Sequence, residues 1–421
     1  MNATKLRRLE ACQVPEFVRI AVDQDTLDQA AKIVKAVKER GLEALSEIAA
    51  QVGDLDPLGK LIYSSNELQA AYASLTVDQQ GLLERTAEKI RRFASAQRES
   101  LAEISISVPG GLAGQRITPL RRAGCYAPGG RFPLPSSVLM TAVTARTAGV
   151  ETVWVASPRP AQITLAAAHV AQADYLLAAG GAQAIAAMAY GANPVPACDV
   201  VVGPGNCWVT AAKQLVAGQV AIDMLAGPSE LVVVADATAD PGLIAADLLA
   251  QAEHDPQAIC ILISLDQALP DRVDIELEAQ LSDLPTRATA AKALANGFCL
   301  VVENVDQAVE VCDQLAPEHL ELCCQDSQKV SQQLTNYGAV FIGASGAEVF
   351  GDYGIGPNHV LPTGGTARFS GGLSVLNFLK VTTWLRIDQP QQAGQFAADA
   401  AALARLEGLE AHARAAERRK P

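Results

Sequence analysis

The chain lacks a positive excess, long apolar runs, paired-cysteine motifs and all but a handful of histidines, and each shortage excludes something. Lys and Arg number 33 against 46 Asp and Glu, a formal net charge of −13. Such a surface has little to exchange for the counterions of a phosphate backbone, so nucleic acid is not an expected partner. The one basic cluster, Arg418-Arg419-Lys420, reads as a solvated helix end. No stretch of about twenty uncharged apolar residues is present, so no membrane partner is expected. The nine cysteines include no Cys-x-x-Cys. That argues against a disulfide framework and a cysteine-type zinc site, and suits a reducing cytosol. Met1 to Arg8, followed by Glu10, has no apolar core of a secretory signal, and a soluble cytoplasmic protein is expected. Neither Gly-x-Gly-x-x-Gly at a strand end nor His-Glu-x-x-His occurs, so the ordinary dinucleotide fingerprint and the commonest metallohydrolase motif are both absent.

What is there is a globular composition, 49% hydrophobic and 19% charged, in a chain of 421 residues. That length is too great for one ordinary core and implies two or more domains. Residues 24–105 read as helical: Leu27, Ala31, Ile33, Val34 and Val37 recur at helical spacing after Asp25-Thr26, and a second long pattern covers 77–95. From Ile104 onward, short β-branched runs alternate with Ala-rich helical runs. Strands are expected at 150–156, 175–178, 199–202, 231–235, 258–263 and 299–302, with helices between them. This alternation predicts an α/β fold of two blocks in series, each with a parallel sheet. Residues 388–419 are Ala-rich and amphipathic, a helical arm whose apolar face suits a partner subunit.

Three Gly-rich turns occupy ligand-facing places. Cys125-Tyr126-Ala127-Pro128-Gly129-Gly130 leads to Ser136-Ser137 at a helix start. Ala179-Gly180-Gly181-Ala182-Gln183 and Val202-Gly203-Pro204-Gly205-Asn206 each join a strand to a helix. Glycine allows close backbone approach and helix N-termini favour anions, so a nucleotide site is expected here, although any one such turn is commonly structural.

Four of the five histidines stand beside carboxylates or amides. Gln251 and His254 are three apart at the end of a predicted helix, so both face one point, as in many zinc layouts; read alone, such a pair is commonest as a polar helix end. Glu318-His319 follows Pro317, where a carboxylate and an imidazole can serve as separate bases. Asp352 and His359 lie in a polar, Gly-rich loop, and His412 is in the C-terminal tail. Ser229 offers a hydroxyl in the turn Ala226-Gly227-Pro228-Ser229-Glu230. His169, in an apolar run, reads as packing.

Side by side these stretches resemble the histidinol dehydrogenase family. The resemblance rests on Tyr126-Ala127-Pro128-Gly129-Gly130, Ser136-Ser137-Val138-Leu139-Met140, 180–184, 203–206, 223–230, 251–256, 316–320 and above all 351–363, and runs from about residue 30 to the tail. It implies a zinc- and NAD-using intertwined homodimer that oxidises L-histidinol to L-histidine through an aldehyde. It further implies Gln251, His254, Asp352 and His412 as zinc ligands, His412 reaching across from the partner subunit. Glu318 and His319 become the acid/base pair, and Tyr126, Gln183 and Asn206 the NAD contacts. Substrate contacts fall on Ser229, Gln251, His254, His319, Asp352, His359, Glu407 and His412.

The expected architecture is two Rossmann-like domains with helical arms: 1–23 an N-terminal arm, 24–124 with 230–372 a discontinuous first domain, 125–229 the second, and 373–421 an arm reaching the partner. Thr144, Val381 and Trp384 depart from the family pattern, at positions expected in helix packing. One other reading stays open, a related zinc/NAD dehydrogenase for another amino- or sulfo-alcohol; a non-catalytic metal- or nucleotide-binding regulator would need a degenerate site, and every residue asked for is present. Glu407 and His412 at five-residue spacing favour an imidazole-bearing substrate.

Overall fold

The computed structural model describes residues 5–10, 13–14, 22–54, 60–129 and 132–420. Fifteen strands run through them: β1 (Arg7–Leu9), β2 (Ile62–Ser64), β3 (Ile104–Val108), β4 (Gly111–Pro119), β5 (Arg122–Tyr126), β6 (Thr152–Ala156), β7 (Tyr175–Leu177), β8 (Val200–Val202), β9 (Ala221–Ile222), β10 (Glu230–Ala235), β11 (Ile259–Ser264), β12 (Phe298–Val301), β13 (His319–Cys323), β14 (Ala339–Ile342) and β15 (Leu379–Ile387).

They form two six-stranded sheets and one small antiparallel sheet. The first sheet, in the order β1-β12-β11-β10-β13-β14, is parallel throughout. Its central strands are covered on both faces, which is why Leu231-Val232-Val233-Val234 and Ile261-Leu262-Ile263 are unbroken apolar runs rather than alternating ones. The second, β2-β7-β6-β5-β8-β9, has β5 to β9 in the spatial arrangement of a Rossmann half, with β2 added antiparallel at the edge. The third pairs β15 with β4 and β4 with β3.

The helices of residues 24–99 begin on well-formed caps: Asp23 accepts from the Thr26 N–H, and Thr76 with Gln79 forms a capping box. Their apolar faces go to the second sheet. Val34, Val37 and Leu45 join Ile185, Met188 and Val201; Leu83, Ala87, Ile90 and Ala94 join Val138, Leu139 and Met140. Each fully buried leucine or isoleucine there contributes about 1.5–3 kcal/mol of burial free energy.

This packing differs from the expected grouping of 24–124 with 230–372. Periodicity identifies the apolar face of a helix, not the sheet that covers it. The arms differ too. Residues 7–9 of the expected N-terminal arm extend the first sheet, and the segment from 373 opens with the nine-residue β15 before its helices at Gly394–Leu406 and Glu410–Glu417. Val381 and Trp384 therefore lie on a strand, not in helix packing, because the β-branched and aromatic run 381–387 pairs with β4. Thr144 is in a helix; its hydroxyl donates to the Met140 carbonyl and accepts from the Asn358 amide. Among the described residues no helix is long and apolar enough to cross a membrane.

Candidate active site

One polar cluster gathers at the amino ends of β10 and β13. The helix Val305–Leu315 closes on Ala316 in the left-handed region (φ 45), which turns the chain through Pro317 and Glu318 into β13. His319 is therefore the first residue of a strand rather than the end of a helix, paired in register with Leu231. The helix Pro241–His254 starts on the Asp240 cap and runs back against the sheet, delivering Gln251 and His254 at its carboxyl end. The short helix Glu348–Asp352, expected as loop, brings Asp352 to the same place.

The contacts are short and mostly buried. Glu318 Oε2 accepts from Ser229 Oγ (2.5 Å) and from the Glu230 N–H (3.0 Å). His319 Nδ1 is 3.2 Å from the Glu230 carbonyl and 3.6 Å from both Glu318 Oε2 and Glu348 Oε1. Its Nε2 is buried without a hydrogen-bond partner, 3.9 Å from Asp352 Oδ1. His254 Nε2 stands 3.6 Å from Asp352 Oδ2. With its amide turned to satisfy its neighbours, Gln251 accepts from Ser229 Oγ (2.9 Å) and the Glu230 N–H (3.1 Å) and donates to the Glu348 carboxylate. His359 has both ring nitrogens engaged, Nδ1 at 2.8 Å from the Asp352 carbonyl and Nε2 at 3.4 Å from Ser137 Oγ.

Burial sets the electrostatics. It lowers the His319 pKa to about 4, so the ring is neutral at pH 7. Burial likewise pushes the Glu318 carboxyl well above the usual carboxylate range, and does the same to Glu348, where Asp352 and Glu321 add repulsion. One ligand atom each from His319, Glu348 and Asp352 lies within 4.8 Å of the others. A cation answers this arrangement: it offsets carboxylates whose only ion-pair partners among the described residues are histidines, and lies at the negative end of the 241–254 helix dipole.

The second polar region lies at the carboxyl ends of β5, β7 and β8. Gly203 (φ +119) packs so closely that a Cβ would meet the Tyr126 carbonyl oxygen at 2.0 Å, so only glycine fits. Its carbonyl accepts from the buried Lys213 Nζ (3.0 Å), its N–H donates to Asp223 Oδ2 (2.7 Å), and Lys213 and Asp223 form a buried ion pair. Tyr126 is buried, with its hydroxyl accepting from the Gly181 N–H (3.3 Å). Gln183 is buried and donates to Asp54 Oδ2 (2.8 Å), which also takes the Gly180 N–H. Asn206 is exposed and caps the helix Cys207–Val216 through the Trp208 and Val209 N–H groups. The three residues expected to touch a nucleotide thus share one end of the sheet, two of them as supports of the turns. Gly130, expected in the first turn, lies outside the described residues.

Within one chain the structure unites Ser229, Gln251, His254, Glu318, His319, Asp352 and His359. Glu407 and His412 are elsewhere, exposed on the C-terminal helical pair, with no hydrogen bond or ion pair to the cluster among the described residues. Sequence reasoning missed Glu348, Asp54, Lys213 and Asp223. Glu348 stands four residues before Asp352, one turn away on a helix too short to be read from the sequence.

A family model described as histidinol dehydrogenase matches residues 19–420. Histidinol dehydrogenase of Pseudomonas savastanoi pv. phaseolicola is 42% identical over 99% of this chain and 96% of that protein. That of Thermus thermophilus is 45% identical over 92% and 93%. The crystal structure of histidinol dehydrogenase from Elizabethkingia anophelis superposes with a TM-score of 0.88 at 31% identity, covering 98% of this chain and 94% of that one.

Proposed function

Since the chain belongs to the histidinol dehydrogenase family, we propose that it oxidises L-histidinol to L-histidine by two hydride transfers to NAD, by way of L-histidinal, as a zinc-holding homodimer of the cytoplasm. The observation that carries the reading is the convergence of Gln251, His254, His319 and Asp352 at the carboxyl end of one helix, around a buried imidazole nitrogen that has no partner. In this reading Gln251, His254 and Asp352 hold zinc together with the partner's His412, and Glu348 is close enough to compete for a ligand place. Zinc, when bound, supplies a Lewis acid that fixes the substrate's nitrogen and hence its reacting carbon.

His319, neutral at pH 7, accepts the alcohol proton as hydride leaves for NAD. The aldehyde must then be hydrated, and Glu318 in its ionised form takes the proton of the added water. Its raised pKa makes it a stronger base than an exposed glutamate, while the Ser229 and Glu230 donors hold it in place. Ser229 and His359 line the same cluster, and Glu407 of the partner subunit answers the substrate's imidazole. NAD rests on the turns carrying Tyr126, Gln183 and Asn206, where the positive ends of the helices Gly181–Tyr190 and Cys207–Val216 suit its pyrophosphate. The cytoplasm suits the described cysteines, all free thiols.

The test is NADH formation from L-histidinol by zinc-replete enzyme, against a panel of other amino- and sulfo-alcohols. Two NADH per histidinol and no turnover of the panel are expected. No turnover of histidinol overturns the reading.

A further inference from the structure

Below the metal-facing residues is a second layer of acid that the proposed chemistry does not use. Glu321 lies two residues beyond His319 on β13, so its side chain leaves the same face of the sheet. It is fully buried in a strand whose every residue is buried, a position where an apolar side chain would ordinarily stand. Its Oε1 accepts the Glu348 N–H at 2.6 Å. Its other carboxyl oxygen is buried without a hydrogen-bond partner, and the half-buried Asp247 is a close neighbour whose charge acts on it. Asp247 is one helical turn before Gln251 on the helix Pro241–His254.

The helix Glu348–Asp352 has five residues, far too few to be stable alone. Its position is set by what grips its ends. At the far end the Asp352 carbonyl accepts from His359, and at the near end the first N–H is taken by Glu321. We propose that Glu321 is a positioning residue for the metal site: by holding the Glu348 N–H it fixes where the carboxylates of Glu348 and Asp352 stand, and so sets metal affinity without touching the metal. The inference rests on the zinc reading above.

The experiment is a zinc titration of chelator-stripped protein against a competing chromophoric chelator, with folding of each variant followed by circular dichroism. Glu321→Gln keeps an acceptor oxygen for the Glu348 N–H and a donor for Asp247, and is expected to bind zinc within about threefold of wild type. Glu321→Leu removes the acceptor and is expected to weaken zinc binding by about 10–100-fold, the usual range when a support of a metal ligand is lost. Glu321→Ser, too short to reach the amide but able to admit water beside Asp247, is measured in parallel in case leucine prevents folding. Wild-type affinity in either folded variant overturns the proposal. Amide exchange at Glu348 in the wild-type protein gives a readout free of metal and of mutation. Protection like that of β13 is expected, and an amide that exchanges as freely as a loop overturns the proposal. If wild-type protein binds no zinc, the zinc reading fails; if it binds and the variants match it, only the positioning role fails.

Discussion

The two six-stranded sheets share an architecture and use opposite ends of it. In the second sheet the polar residues gather at the carboxyl ends of the strands, where helices begin. In the first they gather at the amino ends of β10 and β13, where the helix Pro241–His254 finishes. The helix dipole is positive at the one place and negative at the other. The composition of each end follows from that. The second sheet presents glycine turns and the neutral side chains of Tyr126, Gln183 and Asn206, and its buried charges are matched there, Lys213 by Asp223 and Asp54 by the Gly180 and Gln183 donors. The first presents Glu318, Glu348, Asp352 and three imidazoles, acids whose ionised forms a cation would stabilise. On the proposed function, one fold plan would seat a polyanion at one end of the strands and a metal at the other, depending on which end is equipped.

The sharpest way to break this comparison is at the acidic end. His319→Asn should lower histidinol oxidation by about 10²–10⁴-fold, the usual range for a general base, with zinc content unchanged; NADH formation and metal analysis check it, and an unaltered rate removes His319 from the chemistry. Glu318→Gln should abolish oxidation of L-histidinal while sparing release of the first NADH from L-histidinol. The sign of the pH effect follows from burial: a carboxyl raised well above its ordinary range is protonated near neutrality, so its ionised fraction, and with it histidinal oxidation, rises with pH. In Glu318→Gln that rise should vanish. His319, with a pKa of about 4, should contribute no inflection between pH 6 and 8.

A milder effect asks whether the acidic end is finished within one chain. Mixing His412→Ala with His319→Asn chains should restore up to about a quarter of wild-type activity, because half the dimers are mixed and each of those has one intact site. No recovery in dimers shown to have exchanged would mean that each chain completes its own site. The smallest effect belongs to the neutral end. Asn206→Ala removes a helix cap and should destabilise the protein by about 0.5–2 kcal/mol in denaturant unfolding, with a raised KM for NAD. A KM that stays put would leave Asn206 a cap and nothing more.

The sequence made the acidic end partly legible because Gln251 and His254 lie three apart on a helix that Asp255-Pro256 visibly ends. The alternation of strand and helix patterns from Thr152 to Leu315 was legible for the same reason: period and punctuation are local. Glu348 was hidden because a five-residue helix carries too little pattern to separate from loop. Glu321 was hidden because a charged residue amid an apolar strand has no periodic signature. The partnership of residues 24–99 with the second sheet was illegible in principle, since which sheet covers a helix is decided by contacts between residues far apart in the chain.

The C-terminal helical pair carries one more consequence. Its two helices meet over Ala401, Ala404 and Ala413, a seam of small side chains, while Leu406 remains 86% exposed and Leu403 and Leu409 are open as well. So little buried area cannot hold an eight- and a thirteen-residue helix firmly on its own. Dilution, more than heating, is then the stress to which this part of the molecule is least suited. On the proposed dimer, a diluted protein would stay folded in its two sheets and yet lose activity as its tails come free of the second copy.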